Sequence, residues 1–514
     1  MHYAIDFGTS NTVVARLSAS GQPESVALPG LSAPLSASGV LIPSCLYVVD
    51  GATAQVWCGQ EVGDRGLEND PSRCFRGFKR GLGGPLVGFV PELDGVAVPA
   101  ERLGSWFLQR IWASLQQQAP AMSALTLTVP VDSFELYRQW LLTVTEGQNL
   151  PVQLVDEPTA AALGYGITEG RALVLICDLG GGTADFSLVR LEIPRRSPLQ
   201  TLLRRQGVLK PTAQVLSKAG LVLGGIDIDQ WILEFWQQHL GVPRNSLTLR
   251  LAERVKIALS SAEEANEFYF DDRTLQGYEL TLGRSQLVDI LTQRHFFQRL
   301  ERGLHEVEQQ ALRQNLTWQD LDGVVLLGGT MLMPAVRDWL ADHFASQKLY
   351  GDRPLEAIAH GAVQLPQWHL TDILYHSYGV RYWDKKYQRH HWHPLIPAGQ
   401  VYPLTQPIEL VLGASAPDQP AIELVIGELS EQELEVYWEE NLVMTRPLSQ
   451  QNWNGQPLNA NQPAIAQLNP LGQPGSDRLR VTLTIDANRT LRLTVTDLLT
   501  QQTLTQDRPV ARLQ

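Results

Sequence analysis

One short design occurs twice in this chain. Tyr3–Leu17 reads as a strand, the turn Asp6-Phe7-Gly8-Thr9-Ser10, and a second strand. Val174–Leu191 reads as a strand, the turn Asp178-Leu179-Gly180-Gly181-Gly182-Thr183, and a second strand. Each places a carboxylate at a strand end and follows it with glycine and hydroxyl residues. Two such hairpins in related halves predict a pseudo-twofold domain with a cleft between them. Glycine permits close backbone approach and the dihedrals of a tight turn. Successive N–H groups then form an anion-binding concavity, the chemistry a polyphosphate needs. Thr9, Ser10 and Thr183 add hydroxyl donors. Asp6 and Asp178 would repel phosphate directly, but opposed across a cleft they suit a hydrated Mg²⁺, which prefers oxygen ligands and keeps several waters. Either turn alone is an ordinary glycine hairpin; the pair, with matching acids, is the stronger signal.

The rest of the chain sets the frame. Its 514 residues are 44% hydrophobic and 18% charged, a globular composition with room for several domains. A formal charge of −13 gives no overall drive toward nucleic acid or an anionic membrane. The N-terminus starts in an apolar-alternating segment without a basic n-region, so no signal peptide is expected, and no apolar stretch has bilayer length. Cys45, Cys58, Cys74 and Cys177 form no CxxC pair, which argues against a disulfide framework or zinc site and for a reducing cytoplasm.

Residues 1–366 mix helical and strand periodicity, the pattern of an α/β domain. Apolar spacing predicts helices over Leu103–Gln118, Trp231–Leu240, Leu249–Glu264 and Gln286–Gln314, and buried strands over Leu125–Val129, Ala172–Cys177 and Gly323–Leu327. Residues 376–514 read as a small all-β domain, with strands over Ile408–Leu412, Ile422–Ile426, Leu434–Trp438, Leu479–Ile485 and Leu491–Thr496. Ser449–Ser476, rich in Gln, Asn, Pro and Gly, reads as a long loop. Residues 367–375 would be the linker; Leu370, Ile373 and Leu374 make it apolar, which suggests docking rather than free swinging.

Three more segments fit a nucleotide site. Val155-Asp156-Glu157-Pro158-Thr159-Ala160-Ala161-Ala162-Leu163-Gly164-Tyr165-Gly166 is an acid followed by a proline-started, alanine-rich helix suited to close packing. Val324-Val325-Leu326-Leu327-Gly328-Gly329-Thr330 is a strand ending in a double glycine, where a flat base can lie on the backbone. Ala357–Val363 is a small-residue helix suited to close helix contact.

In this order, these segments resemble the actin-like ATPase superfamily, and within it the DnaK-type chaperones of the heat shock protein 70 family. The resemblance rests on Ala4–Thr12, Asp156–Ala162, Asp178–Thr183, Leu223-Gly224-Gly225-Ile226-Asp227-Ile228-Asp229, and Glu253-Arg254-Val255-Lys256 followed by Leu259-Ser260-Ser261. It covers the first domain nearly end to end and more loosely the second, where Val481–Ile485, Asp486-Ala487-Asn488 and Leu491–Asp497 look like the family's closing hairpin. It implies an α/β actin-like ATPase domain, two-lobed with a ribonuclease H-like duplication, then a smaller all-β sandwich-like domain. It implies ATP/ADP and Mg²⁺ as cofactors and slow hydrolysis of ATP. Gly8, Thr9, Ser10, Asn11, Gly180, Gly181, Gly182, Thr183, Gly224 and Gly225 would surround the phosphates, and Asp6 and Asp178 would hold hydrated Mg²⁺. Lys79, in Phe75-Arg76-Gly77-Phe78-Lys79-Arg80, matches a lysine near the γ-phosphate; read without its motif it is a solvated surface lysine. Glu157 matches the acid beside the attacking water. Glu253, Lys256, Ser260, Gly328 and Gly329 would contact adenosine, and Pro130, Arg138, Ile373 and Leu374 would relay nucleotide state.

The implied partners are unfolded or apolar polypeptide clients, a J-domain co-chaperone and a nucleotide exchange factor; membrane and nucleic acid are not expected. Ile408, Leu410, Ile422, Leu424 and Ile426 read more simply as core than as client contacts. Leu332 stands where the family usually has an arginine along adenine, and Leu355 where an acid is common, so base affinity is expected to differ. The family continues into a helical lid, whereas this sequence stops at Gln514, from which fast client exchange would be expected. Arg381–His393 mixes cations with aromatics and reads as a solvated hairpin or a patch for RNA or an acidic partner; its histidines lack the companions of a metal site. Arg195, Arg196, Arg204, Arg205 and Lys210 read as a solvated extension or a docking arm. The competing readings are a filament-forming actin relative, a sugar kinase and a nucleotide-sensing scaffold. The filament reading leaves the β domain unexplained, and the Asp156-Glu157-Pro158-Thr159 and Leu223-Gly224-Gly225 wording disfavours the sugar kinase.

Overall fold

The computed structural model describes the chain except residues 36–38, 83–89, 121, 131–134, 147–149, 166–169, 194–211, 366–368, 371–373, 375, 385–388, 398–399, 401, 405, 431–433, 440–441, 448–453, 461–462, 487–488 and 514. Ile373, most of the linker 367–375, the connection 195–210, Gly166, Ala487 and Asn488 therefore lie outside the described residues. The chain forms two units: Met1–Thr371 with Glu435–Arg446, and Asp372–Leu434 with Pro447–Gln514.

In the first unit, one sheet contains β1 (His2–Phe7), β2 (Asn11–Leu17), β3 (Val40–Pro43), β4 (Ala124–Val129) and β5 (Val152–Asp156). Their order is β5-β4-β1-β2-β3, with β1 antiparallel to β2 and parallel to β4. Helix α1 (Glu157–Gly164) follows β5 directly. A second sheet contains β6 (Gly170–Leu179), β7 (Ala184–Ile193), β8 (Thr212–Leu221), β9 (Gly323–Leu327) and β10 (Leu349–Tyr350), in the order β10-β9-β6-β7-β8. Here β6 is antiparallel to β7 and parallel to β9. Both sheets therefore centre on an acid-bearing strand with its hairpin partner on one side and parallel strands on the other. Each sheet has its own apolar core, one around Ile5, Phe7 and Phe107, the other around Leu175, Phe186 and Trp236. Helices α2 (Gly225–Leu240), α3 (Ser246–Ala258) and α4 (Ala357–Ala362) also belong to this unit.

Two predicted helices are shorter than their apolar spacing suggested. The helix read over Leu249–Glu264 ends at Ala258, and Glu264–Asp271 and Gln276–Gly283 form a hairpin. There Tyr269 is buried while Phe268 and Phe270 are exposed, a period of two rather than 3.6. The helix read over Gln286–Gln314 divides into Arg284–Gln293 and Phe296–Leu312, because His295 takes a left-handed φ of 55°.

The second unit is built from β11 (Ser377–Asp384), β12 (Arg389–Ile396), β13 (Ile408–Gly413), β14 (Gln419–Glu423), β15 (Ile426–Ser430), β16 (Asn454–Pro457), β17 (Ala464–Gly472), β18 (Asp477–Ile485), β19 (Thr490–Asp497) and β20 (Thr503–Arg512). They form sheets ordered β12-β11-β15-β16 and β13-β18-β19-β20, with β14 paired to β17. Ile422, Leu424, Ile426, Val481, Leu483 and Val495 lie in one core. The single strand expected over Ile422–Ile426 breaks at Leu424-Val425, where Leu424 N–H turns to Pro463 O. The loop expected over Ser449–Ser476 contains β16 and β17; its Gln, Asn and Pro content hid the alternation of buried Ala466 and Leu468 with exposed Gln467 and Asn469. The strand expected at Leu434–Trp438 is present as Leu434–Glu439, and Glu435–Arg446 groups with the first unit.

Candidate functional site

The site grows from the two turns. Asp6 is the buried penultimate residue of β1 and accepts a 2.7 Å hydrogen bond from Thr128 Oγ1 on β4. Asp178 occupies the matching position in β6, opposite Leu327 of β9. The turns that follow meet: a Cβ on Gly181 would fall 2.1 Å from Ser10 Oγ, and one on Gly182 would fall 3.0 Å from Thr9 Oγ1. Ser44 braces the first turn, its Oγ donating to Gly8 O at 2.8 Å and its N–H to Ser10 O at 2.8 Å. The second turn is held from three sides. Gly225 N–H donates to Gly180 O at 3.0 Å, Ile226 N–H to Gly181 O at 2.9 Å, and Thr330 Oγ1 to Gly180 O at 2.9 Å.

Lys79 and Glu157 come from distant segments. Phe78 is fully buried against Phe7 and Phe107, with ring centroids at 6.1 and 5.6 Å, and this fixes its neighbour Lys79. Asp156 caps α1 by accepting from Thr159 N–H at 2.8 Å, leaving Glu157 in the first turn. Lys79 Nζ then meets Glu157 Oε1 at 2.9 Å, with both side chains largely buried. Helix α1 packs backbone to backbone on α4. A Cβ on Gly361 would fall 1.7 Å from Ala160 O, and one on Gly164 would fall 2.0 Å from Ala357 O.

These groups share one electrostatic environment. Burial, then Glu157, push the Asp6 carboxyl up to about 7. Burial, Glu157 and Asp6 push Asp178 up to about 8. Burial alone would lower Lys79, but Glu157 holds it above its ordinary value. Three carboxyl groups thus surround one lysine. When ionised they leave a net negative charge out of bulk water, a condition that a proton or a divalent cation relieves.

The flanking residues are also placed. Gly328 has φ +82°, which favours glycine, and a Cβ there would fall 2.8 Å from Asp178 Oδ1. Gly329 follows it, 3.9 Å from a Leu355 methyl when its Cβ is built, and Leu332 is 39% exposed. On α3, Lys256 Nζ meets Gly225 O at 2.9 Å and Asp229 Oδ1 at 2.7 Å. Glu253 lies 3.4 Å from Arg76, and Ser260 stands just past the helix end. Asn11 opens β2, and Gly224 N–H donates to Asp227 Oδ2 at 2.7 Å. Pro130 follows β4, while Arg138 is buried on the helix Glu135–Thr145. Leu374 is fully buried in the core of the second unit, its N–H donating to Gln400 O at 2.8 Å; it is not part of a free tether.

Sequence reading missed Arg80. Its Nη2 reaches Gly182 O at 2.8 Å and Asp227 Oδ2 at 3.0 Å, and its Nε and Nη1 are buried without a hydrogen-bond partner beside the second turn. The adjacent cations Lys79-Arg80 were the available signal. Thr128 and Ser44 carried none, being single hydroxyls in ordinary runs.

Residues 147–370, which include α1, the second turn and the double glycine, match the family model described as Hsp70 protein. Over that span the chain is similar to the Hsp70 family. A relative described as chaperone protein HscA homolog from Methylobacillus flagellatus is 28% identical over 391 residues, covering 70% of this chain and 56% of the relative. One of the same description from Burkholderia pseudomallei is 27% identical over 474 residues, covering 82% of this chain and 68% of the relative. The chain thus spans little more than half the length of the first of these relatives.

Proposed function

We propose that this chain binds Mg²⁺ and ATP between the two acid-plus-glycine turns, hydrolyses ATP slowly, and uses nucleotide state to control how its β-rich unit holds unfolded or apolar polypeptide segments. The observation that carries this reading is the buried Lys79–Glu157 pair, grouped electrostatically with Asp6 and Asp178 beside two abutting glycine turns. The surplus of carboxylates fits a divalent cation, and the unpartnered N–H groups of Arg80 fit an anion at the second turn. In this reading the first unit is an actin-like, two-lobed domain with a ribonuclease H-like duplication, and the second is a β-sandwich.

In this reading each residue takes a distinct role. Asp6 and Asp178 hold hydrated Mg²⁺, which neutralises phosphate charge when bound. Thr9, Ser10, Gly181, Gly182, Thr183 and Gly225 offer donors and close approach to the phosphates. Lys79 stabilises charge on the transferring phosphoryl group, and Glu157, oriented by Lys79, positions the attacking water. Gly328 and Gly329 back the base; Glu253, Lys256 and Ser260 face adenosine. A J-domain co-chaperone and an exchange factor are the expected partners and the cytoplasm the expected location; among the described residues no helix is long and apolar enough to cross a membrane.

Single-turnover ATP hydrolysis with and without an unfolded apolar peptide tests the reading. Hydrolysis that the peptide accelerates and that Thr183→Ala suppresses is expected. Absence of hydrolysis, or hydrolysis indifferent to both changes, contradicts it.

A further inference from the structure

The helix Glu135–Thr145 places Tyr137, Trp140 and Leu141 three and four residues apart, on one face. Tyr137 and Leu141 are buried in the core that holds Phe7, Phe78 and Phe107, and Trp140 packs against it. Trp140 is fixed: its Nε1 donates to Glu101 O and to Ser105 Oγ, both at 3.1 Å, and a Cβ on Gly104 would fall 2.7 Å from its indole. The Tyr137 ring lies 5.6 Å from Trp140 between centroids, and Trp140 lies 6.4 Å from Phe7. Phe7 follows Asp6 at the end of β1, and Lys79 Nζ stands 5.8 Å from the centroid of its ring. Three linked rings thus carry Tyr137 to the Lys79–Glu157 pair.

Its hydroxyl is out of keeping with a core position. Tyr137 is 2% exposed, and among the described residues its Oη is buried without a hydrogen-bond partner. Phenylalanine would fill the same space, whereas a buried hydroxyl left unpaired costs stability. Burial holds the phenol above its ordinary value, with Lys79 opposing and Glu157 and Asp6 adding to the effect. The group is therefore a neutral O–H donor at neutral pH. The nearby carboxylates are engaged elsewhere: Glu157 Oε1 accepts from Lys79, and Asp6 Oδ1 accepts from Thr128. A buried donor beside a lysine, with no acceptor of its own, is matched to an anionic oxygen supplied by a ligand.

We infer that the Tyr137 hydroxyl donates a hydrogen bond to an oxygen of the γ-phosphoryl group of ATP, beside Lys79, and is a further catalytic residue of this site. The inference rests on the proposed binding and hydrolysis of ATP and adds a residue to that reading. During the reaction the oxygen of water bonds to phosphorus, the bond from phosphorus to the ADP oxygen breaks, and the proton of the water leaves with the phosphate. The tyrosine keeps its own proton throughout. Its role is to stabilise charge on the equatorial oxygens, as a fixed donor in a site closed to water does. A magnesium-bound water and the attacking water are poorer partners. Each directs a lone pair elsewhere and offers hydrogens rather than accepting one. ADP has no γ-phosphoryl group, so this contact separates the two nucleotides.

Tyr137→Phe in the full chain removes the oxygen alone and tests this. Three quantities are measured beside the wild type: the single-turnover rate of ATP hydrolysis, the calorimetric affinities for ADP and for the β,γ-imido analogue of ATP with Mg²⁺, and the melting temperature without nucleotide. Hydrolysis is expected to slow about tenfold or more, the scale of one lost hydrogen bond to a charged group. The imido analogue should bind more weakly and ADP as before, while the melting temperature holds or rises because an unpaired buried hydroxyl is gone. An unchanged rate with unchanged analogue affinity overturns the inference and leaves the ATPase reading standing. A lower melting temperature assigns the hydroxyl to the fold, and an equal loss of ADP and analogue affinity assigns it to groups that both nucleotides share; either result also overturns the inference. If the wild type binds ATP without hydrolysing it, the hydrolysis reading fails and the ratio of the two affinities decides the contact. If the wild type binds neither nucleotide, both readings fail.

Discussion

Lys79 shows how much of a residue's role lies in its neighbours. The lysine is an ordinary surface type, yet the packing of Phe78 against Phe7 and Phe107 carries it to Glu157 at 2.9 Å. Lys79→Ala is expected to slow single-turnover hydrolysis about a hundredfold or more, as removal of a fixed transition-state donor does, while titration calorimetry still detects ADP. The aspartates yield a pH prediction. Asp6 and Asp178 are pushed up to about 7 and about 8, so both bind a proton more tightly folded than unfolded. Their stabilising contribution is complete below the ordinary carboxyl range and is lost as pH rises through 7 to 8. The melting temperature of Mg²⁺-free protein should therefore fall over that window. Mg²⁺ with ADP should flatten the fall, as should Asp178→Asn. At the base, Leu332→Arg should tighten ADP binding about threefold, a gain of the size of an exposed cation–π contact, read by calorimetry. The acids, Lys79 and Glu157 were legible because their chemistry is unusual in motif context. Ser44, Thr128 and Arg80 were not, because their partners lie 36, 122 and 147 residues away.

At the scale of elements, close approach dominates. Helices α1 and α4 touch through Gly164 and Gly361, where any Cβ would overlap a carbonyl oxygen. Gly361→Ala should destabilise the first unit by about 2 kcal/mol or more, in the range of overpacked cores, measured by urea unfolding. Gly181→Ala, whose methyl would meet Ser10 Oγ, should weaken nucleotide binding, and Ser10→Gly in the same chain should restore part of it. The small residues of both helices were readable as a packing signal before their partners were known. Helix ends were less so. Apolar spacing continues past Ala258 and across His295, and only tertiary pairing of Glu264–Asp271 with Gln276–Gly283 decides that the chain turns to strand. In the second unit, β17 was obscured because Gln467, Asn469 and Pro470 take most of its exposed positions.

Over the whole molecule, the doubled acid-and-glycine design appears as two sheets of matching strand order, each with its own core. The change of periodicity near residue 370 marks where the β-rich unit starts, but the grouping of Glu435–Arg446 with the first unit had no local signature. Leu374 sits in the core of the second unit, so Leu374→Asp should lower that unit's melting temperature; coupling between nucleotide and client is better tested at Ile373. The central claim is that two mirrored turns and their aspartates form one magnesium-dependent nucleotide site. Calorimetric titration of ADP into the full chain, with and without Mg²⁺, tests it most directly. One ADP per chain is expected, with affinity that drops sharply without Mg²⁺ in the wild type and is low and indifferent to Mg²⁺ in Asp6→Asn with Asp178→Asn. No binding by the wild type, or unchanged magnesium dependence in the double variant, would contradict it.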